Sequence, residues 1–266
     1  MRIMKNKIRS LIYVGVGLIL CVLLCGGFGM TAQAAEEKTY DGFTYIEKDE
    51  DDDEDDNGIT IIKYTGNAAE LVIPSQINGK KVIRIRESAF SDCSNLTSVM
   101  ISENVRWLYS PIFNGCSKLS KITVDERNIY YDSRDNCNAI IRTSNNALVE
   151  GCKNTVIPES VIEIESSAFS DCNGLTSITI PESVTKIGWN AFSNCGALTS
   201  IVIPKGVTWI GNKVFSGCNS LKNIVVDREN TYYDSRDNCN AIIETSSNTL
   251  VSGCKDTVIP KNVICI

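Results

Sequence analysis

The chain has 266 residues, 43% hydrophobic and 22% charged, which is enough apolar content to bury a core and too much for a disordered polymer. With 26 Lys and Arg against 32 Asp and Glu the formal charge is −6, and such a chain repels phosphate backbones and anionic lipid, so neither nucleic acid nor a membrane surface is an expected partner. It contains no histidine, which removes Cys-His and Ser-His-Asp nucleophiles and the usual general base at neutral pH.

Residues 1–34 read as an export signal. Arg2, Lys5, Lys7 and Arg9 form a basic start, Leu11 to Leu24 is nearly continuous apolar sequence, and Ala32-Gln33-Ala34 supplies small residues for cleavage before Ala35. The apolar stretch is long enough that an uncleaved anchor stays open as a second reading. Cleavage removes four cations and no acid, which takes the charge from −6 to −10.

Residues 35–74 are expected to form a capping hairpin with an acidic loop. Phe43 to Ile46 and Ile59 to Lys63 flank Glu47 to Asp56, nine acids and one lysine, a run that self-repels and reads either as a solvated loop or as a loose divalent-cation site. Leu71-Val-Ile-Pro74 then matches the strand of the units that follow.

From residue 75 to 266 the sequence repeats. Phe90, Phe113, Phe169, Phe192 and Phe215 stand 23, 56, 23 and 23 residues apart. A cysteine follows each by three residues, a leucine by six, and an Ile or Val by nine and again by eleven. The I-x-I part has the period of a short strand. A 23-residue coil cannot bury its own apolar residues, but stacked copies bury them against one another. The expectation is a repeat solenoid with one parallel β-strand per coil, each strand ended by proline at 74, 158, 181, 204 or 260.

The motif A-F-x-x-C-x-x-L-x-x-I-x-I-P resembles the BspA-like family of bacterial leucine-rich repeats. The likeness runs from about Tyr40 to the last residue, with small departures where Ser102 replaces a proline and Ile112 and Val214 replace alanine. It implies a leucine-rich solenoid on the outside of a cell, and by analogy attachment to host or matrix proteins or to other cells.

Two coils are longer. Tyr130 to Ile162 and Tyr232 to Ile264 agree at 26 of 33 positions, both containing YYDSRDNCNAII. Each reads as an enlarged coil carrying a hairpin, with the first turn at Thr143 to Asn146. Asp125, Asp132 and Asp135, repeated as Asp227, Asp234 and Asp237, fit turns that bond their own backbone, or a calcium site. Ten cysteines follow the signal. They read as buried thiols filling a repeat column, with disulfides as the alternative, best placed as Cys137 to Cys152 and Cys239 to Cys254. Val263 to Ile266 begins a further coil and stops mid-unit.

No Gly-rich phosphate loop and no fixed carboxylate pair can be named, so neither an enzyme nor a cofactor is expected. Outward strand positions include Met100, Lys121, Thr123, Thr179, Val202 and Val225, a broad face without a pocket that suits a macromolecule. Trp107, Trp189 and Trp209 are further contact candidates. The leading expectation is a secreted or cell-surface protein that binds an extracellular protein, a glycan, or cell-wall or host-matrix material. The alternative is a targeting or spacer region of a larger surface enzyme whose catalytic module lies beyond residue 266. Oligomeric state is open.

Overall fold

The computed structural model describes residues 35–47 and 57–265. The export signal and most of the acidic run lie outside these residues.

The first elements are antiparallel. β1 (Lys38–Tyr40) pairs with β2 (Phe43–Ile46), and β2 with β3 (Ile59–Tyr64). At the edge of the acidic run, Glu47 is held by Lys38 at 2.9 Å and Lys80 at 2.8 Å. β4 (Glu70–Val72) and the short β5 (Gln76–Ile77) lead to β6 (Lys80–Ile85), which pairs parallel with β3 and so attaches the hairpin to the coils. Phe43 and Tyr64 pack over Phe90 at 6.4 and 5.8 Å, covering the first coil's aromatic ring.

Two of the regular coils, those after Phe90 and Phe192, form two strands where one was expected. The I-x-I segments give β7 (Ser98–Ile101), parallel to β4. Further on, the V-x-x-I segment gives a second, two-residue strand, β8 (Trp107–Leu108), parallel to β6. β9 (Lys121–Val124) completes the first ladder, β4-β7-β9.

The first enlarged coil follows as β10 (Tyr131–Asp132), β11 (Ala139–Arg142) and β12 (Ala147–Gly151), joined antiparallel, with the turn at Thr143 to Asn146. β12 then pairs parallel with β13 (Glu163–Ile164), β13 with β14 (Lys186–Ile187). β15 (Ser200–Ile203) lies between these and β16 (Trp209–Ile210), which extends the row from β14. β17 (Asn223–Val226) pairs with β15. The second enlarged coil repeats the first as β18 (Tyr233–Asp234), β19 (Ala241–Glu244) and β20 (Thr249–Gly253).

The I-x-I ladder is therefore interrupted. Val156-Ile157 and Ser177 to Ile180 form no strand. The reason lies in the enlarged coil: the Val156 N–H donates to Cys137 O at 3.0 Å, inside its own unit, and Pro158 has no N–H to offer. At the next coil this row is held at its edge by Thr199, whose N–H and hydroxyl both donate to Thr176 O, at 3.3 and 3.4 Å.

The core consists of aligned side chains. Phe90 and Phe113 lie 5.4 Å apart, and Phe169, Phe192 and Phe215 follow one another at 5.1 and 5.6 Å, nearly parallel. Backbone bonds run between coils at the same place: Phe90 N–H donates to Ile112 O and Phe169 N–H to Ala191 O. The cysteine column has a specific use, because Cys116, Cys195 and Cys218 donate their thiols to the Phe carbonyl of the preceding coil at 3.0, 3.1 and 3.0 Å.

The repeated phrase is scaffold, and its letters can be assigned. Asn128, just before the first copy, is buried and bonded on all sides. Its amide donates to Ser102 O and Val105 O, and its Oδ1 accepts from the Tyr130 and Tyr131 N–H groups, all at 2.9 Å. Asn230 makes the same four bonds one unit later. Asp135, Asn136 and Asn138 adopt φ of 57°, 52° and 53°, left-handed backbone that Asn and Asp tolerate best among residues with a Cβ.

Candidate interaction surface

In the first ladder the register sets Val72 beside Met100 and Met100 beside Thr123. These alternate with Val99, Ile101 and Ile122, whose side chains are buried, so the period of two sends every other residue to solvent. Met100 is 38% exposed, and Lys121 projects from the same face. Thr123 is half-buried and spends its hydroxyl on Val99 O at 3.3 Å. Val202 and Val225 lie side by side in the second ladder. Thr179 is exposed but lies in the stretch between ladders, outside any strand. The proposed contact residues thus fall into two patches. Val72, 64% exposed, belongs to the first, though it was not among the sequence candidates. Its signal was available, since Leu71-Val-Ile-Pro74 matches the coil strand.

The three tryptophans sit elsewhere, on the flank made by the two-residue strands. Trp107 is half-buried, with the guanidinium carbons of Arg84 and Arg106 at 4.4 and 4.6 Å from its ring centre. Trp189 and Trp209 are exposed and meet edge to face at 5.7 Å.

The aspartates of the enlarged coils are engaged as turn formers. Asp125 binds Arg127, Asp132 binds Arg134 at 2.6 Å, and Asp234 binds Arg236 at 2.6 Å. Arg127 holds the Asp125 carboxyl down at about 2. Among the described residues no group of three His, Cys, Asp or Glu side chains is arranged to hold a metal.

All ten cysteines after the signal are free, so the hairpin-flanking pairs do not form the bridges the spacing allowed. The thiols of Cys137 and Cys152 donate instead to Ala139 O and Asn138 O. Burial pushes Cys137 up to about 11 and Cys172 up to about 12, so both stay protonated and unreactive at neutral pH.

One buried ionisable group was not legible in the repeat pattern. The coil after Phe113 is the enlarged one, and it offers no backbone carbonyl where a regular coil would. Glu150 fills that place: its carboxyl accepts from the Ser110 hydroxyl at 2.6 Å and from the Ile112 and Phe113 N–H groups at 3.3 and 3.5 Å. Burial pushes it up to about 8.

Parallel two-residue and four-residue strands recurring every 23 residues define a leucine-rich solenoid. The chain belongs to the BspA-type leucine-rich repeat region family, whose model matches residues 62–145 and 144–246 in six copies. Comparison with curated proteins gives no match. Among solved structures, the chain is similar to a leucine-rich repeat protein from T. pallidum, with 28% identity over 71% of each chain and a TM-score of 0.39. It is also similar to a leucine-rich cell surface protein from Faecalibacterium prausnitzii, at 27% identity and a TM-score of 0.46, over 82% of this chain and 61% of that one. A third, the pneumococcal vaccine antigen PcpA, shares 21% identity over 57% of this chain and 44% of its own, with a TM-score of 0.45.

Proposed function

We propose that this is a secreted or surface-displayed binding module that attaches to an extracellular protein or to cell-wall or host-matrix material, in adhesion or envelope contact. The observation that carries it is the outward column of the ladders: Val72, Met100 and Thr123 in register, then Val202 and Val225 in register, two exposed and largely apolar strips. A strip of β-branched and thioether side chains buries area against another surface. Membership of a family of repeat scaffolds agrees with this, and the export signal read in residues 1–34 supports an extracellular site. The test is capture from host-matrix and cell-wall fractions by the full chain and by a Met100→Glu, Val202→Glu variant. Capture by the parent chain and its loss in the variant, with an unchanged circular dichroism spectrum, is the expected result. No capture by either, or equal capture by both, counts against it.

A further inference from the structure

The fold treats its tryptophans in two ways. Trp107 is paired in register with Arg84, and two guanidinium groups lie on its ring. Trp209 holds the same column, but Lys186 stands where Arg84 would and Thr208 where Arg106 would. What meets Trp209 is Trp189, edge to face, with the ring planes at 76°. Trp189 is 55% exposed and Trp209 38%. Gly211 lies against the Trp189 backbone and indole: an added Cβ would come within 2.5 Å of Trp189 N and 2.7 Å of its Cδ1, so a side chain at 211 would push both the neighbouring coil and the ring away. Lys186 is the register neighbour of Trp209, and Thr208, Asn212 and Lys213, within four residues of Trp209 in sequence, are exposed like it. The carboxylate in the same column, Glu163, pairs with Lys186 and lies two rungs from Trp209.

We propose that Trp189 and Trp209 form a stacking platform for a hexopyranose ring of an acidic glycan, with Lys186 and Lys213 meeting its carboxylate. This names a partner class for the binding module and rests on that reading. The C–H face of a pyranose is apolar and slightly electropositive, and it packs on the electron-rich face of an indole. Its hydroxyls, at the rim, meet carboxamide and ammonium donors. A cationic side chain is the other natural occupant of an indole face, but here it would face two lysines. Where this column takes a cation, at Trp107, the chain provides its own. A protein hot spot surrounds its tryptophan with further packed contacts, whereas hydroxyl, amide and ammonium groups neighbour this pair in sequence and register.

Calorimetric titration of the full chain with an oligogalacturonate, beside dextran and an arginine-rich peptide, tests the assignment. Saturable binding of the oligogalacturonate is expected, weaker by roughly tenfold in Trp189→Ala and in Trp209→Ala, weaker also in the double variant Lys186→Ala, Lys213→Ala, and unchanged in Lys118→Ala, which removes a cation from a different coil. No saturation, equal binding of dextran, or preference for the arginine peptide overturns it. In that case, matrix or wall capture that survives Trp189→Ala and Trp209→Ala but is lost in the Met100→Glu, Val202→Glu variant leaves the wider reading standing, and absence of all capture removes both.

Discussion

The two enlarged coils are almost the same sentence placed in two surroundings. In the first, every residue of β12 is buried, because β13 covers it and Phe169 lies on Gly151. In the second, every residue of β20 is only partly buried. Identical letters give identical backbone: Thr155 and Thr257 each accept from the N–H three residues earlier and donate to Asn138 O and Asn240 O at 2.7 Å. The seven positions that differ carry the adaptation, among them Glu150 against Ser252 and Arg142 against Glu244. Shape is thus written in the shared letters and burial chemistry in the others.

The sharpest way to separate the two coils is pH. Below the ordinary carboxylate value Glu150 is protonated in folded and unfolded chains alike, and the full stability is present. As pH rises toward 8 the unfolded chain releases that proton while the folded chain keeps it, so stability falls across the window and levels off above it. The slope approaches roughly 1.4 kcal/mol for each pH unit between the two values. Urea melts at pH 5, 7 and 9 should show this loss in the parent chain, a flattened profile in Glu150→Gln, and the parent's full loss in Ser252→Ala, which keeps Glu150. A profile unaltered by Glu150→Gln would remove the carboxyl from the account.

Steric fit separates them next. A Cβ at Gly151 would stand 2.1 Å from Phe169 Cε1, whereas at Gly253 the nearest atom is Thr257 Oγ1 at 2.8 Å. Gly151→Ala should therefore cost about 2–3 kcal/mol and Gly253→Ala about 1 kcal/mol or less. Equal losses in thermal melts would mean that Phe169 does not rest on the hairpin. Where the coils are alike, the losses should match: Asn128→Ala and Asn230→Ala each break four bonds, three of them buried, for about 2 kcal/mol apiece. A difference of more than about 1 kcal/mol would show that the shared letters do not act alike.

The apolar columns were legible because Phe, Leu and Ile recur at a fixed interval, and Phe192 lies between Phe169 and Phe215 as the interval required. The second row of strands was not, because a two-residue strand such as Lys186–Ile187 is too short to show a period. The place of Glu150 depends on which coil lacks a following carbonyl, which is a property of the junction and not of the repeat. Trp189 and Trp209 stood among the sequence candidates, but their contact joins different columns of neighbouring coils and passes over Gly211, so spacing alone did not bring them together.

The smallest difference concerns charge. Arg142 donates to both oxygens of Glu165 at 3.1 Å and lies 5.5 Å from the Tyr131 ring. Its counterpart Glu244 instead accepts from the Ser247 hydroxyl. The Arg142 side chain is 31% exposed and that of Glu165 24%, so the pair is worth about 1 kcal/mol or less. Burial nonetheless raises the Glu165 carboxyl even though Arg142 pulls it down. Without the arginine the carboxyl rises further, and the unfolded chain then loses its proton well before the folded one does. Arg142→Ala should accordingly cost more at pH 7 than at pH 5. Chemical denaturation of the variant at both pH values measures this directly, and equal costs for Arg142→Ala at pH 5 and pH 7 would show that the guanidinium holds the coil by packing on Tyr131 and not by its charge.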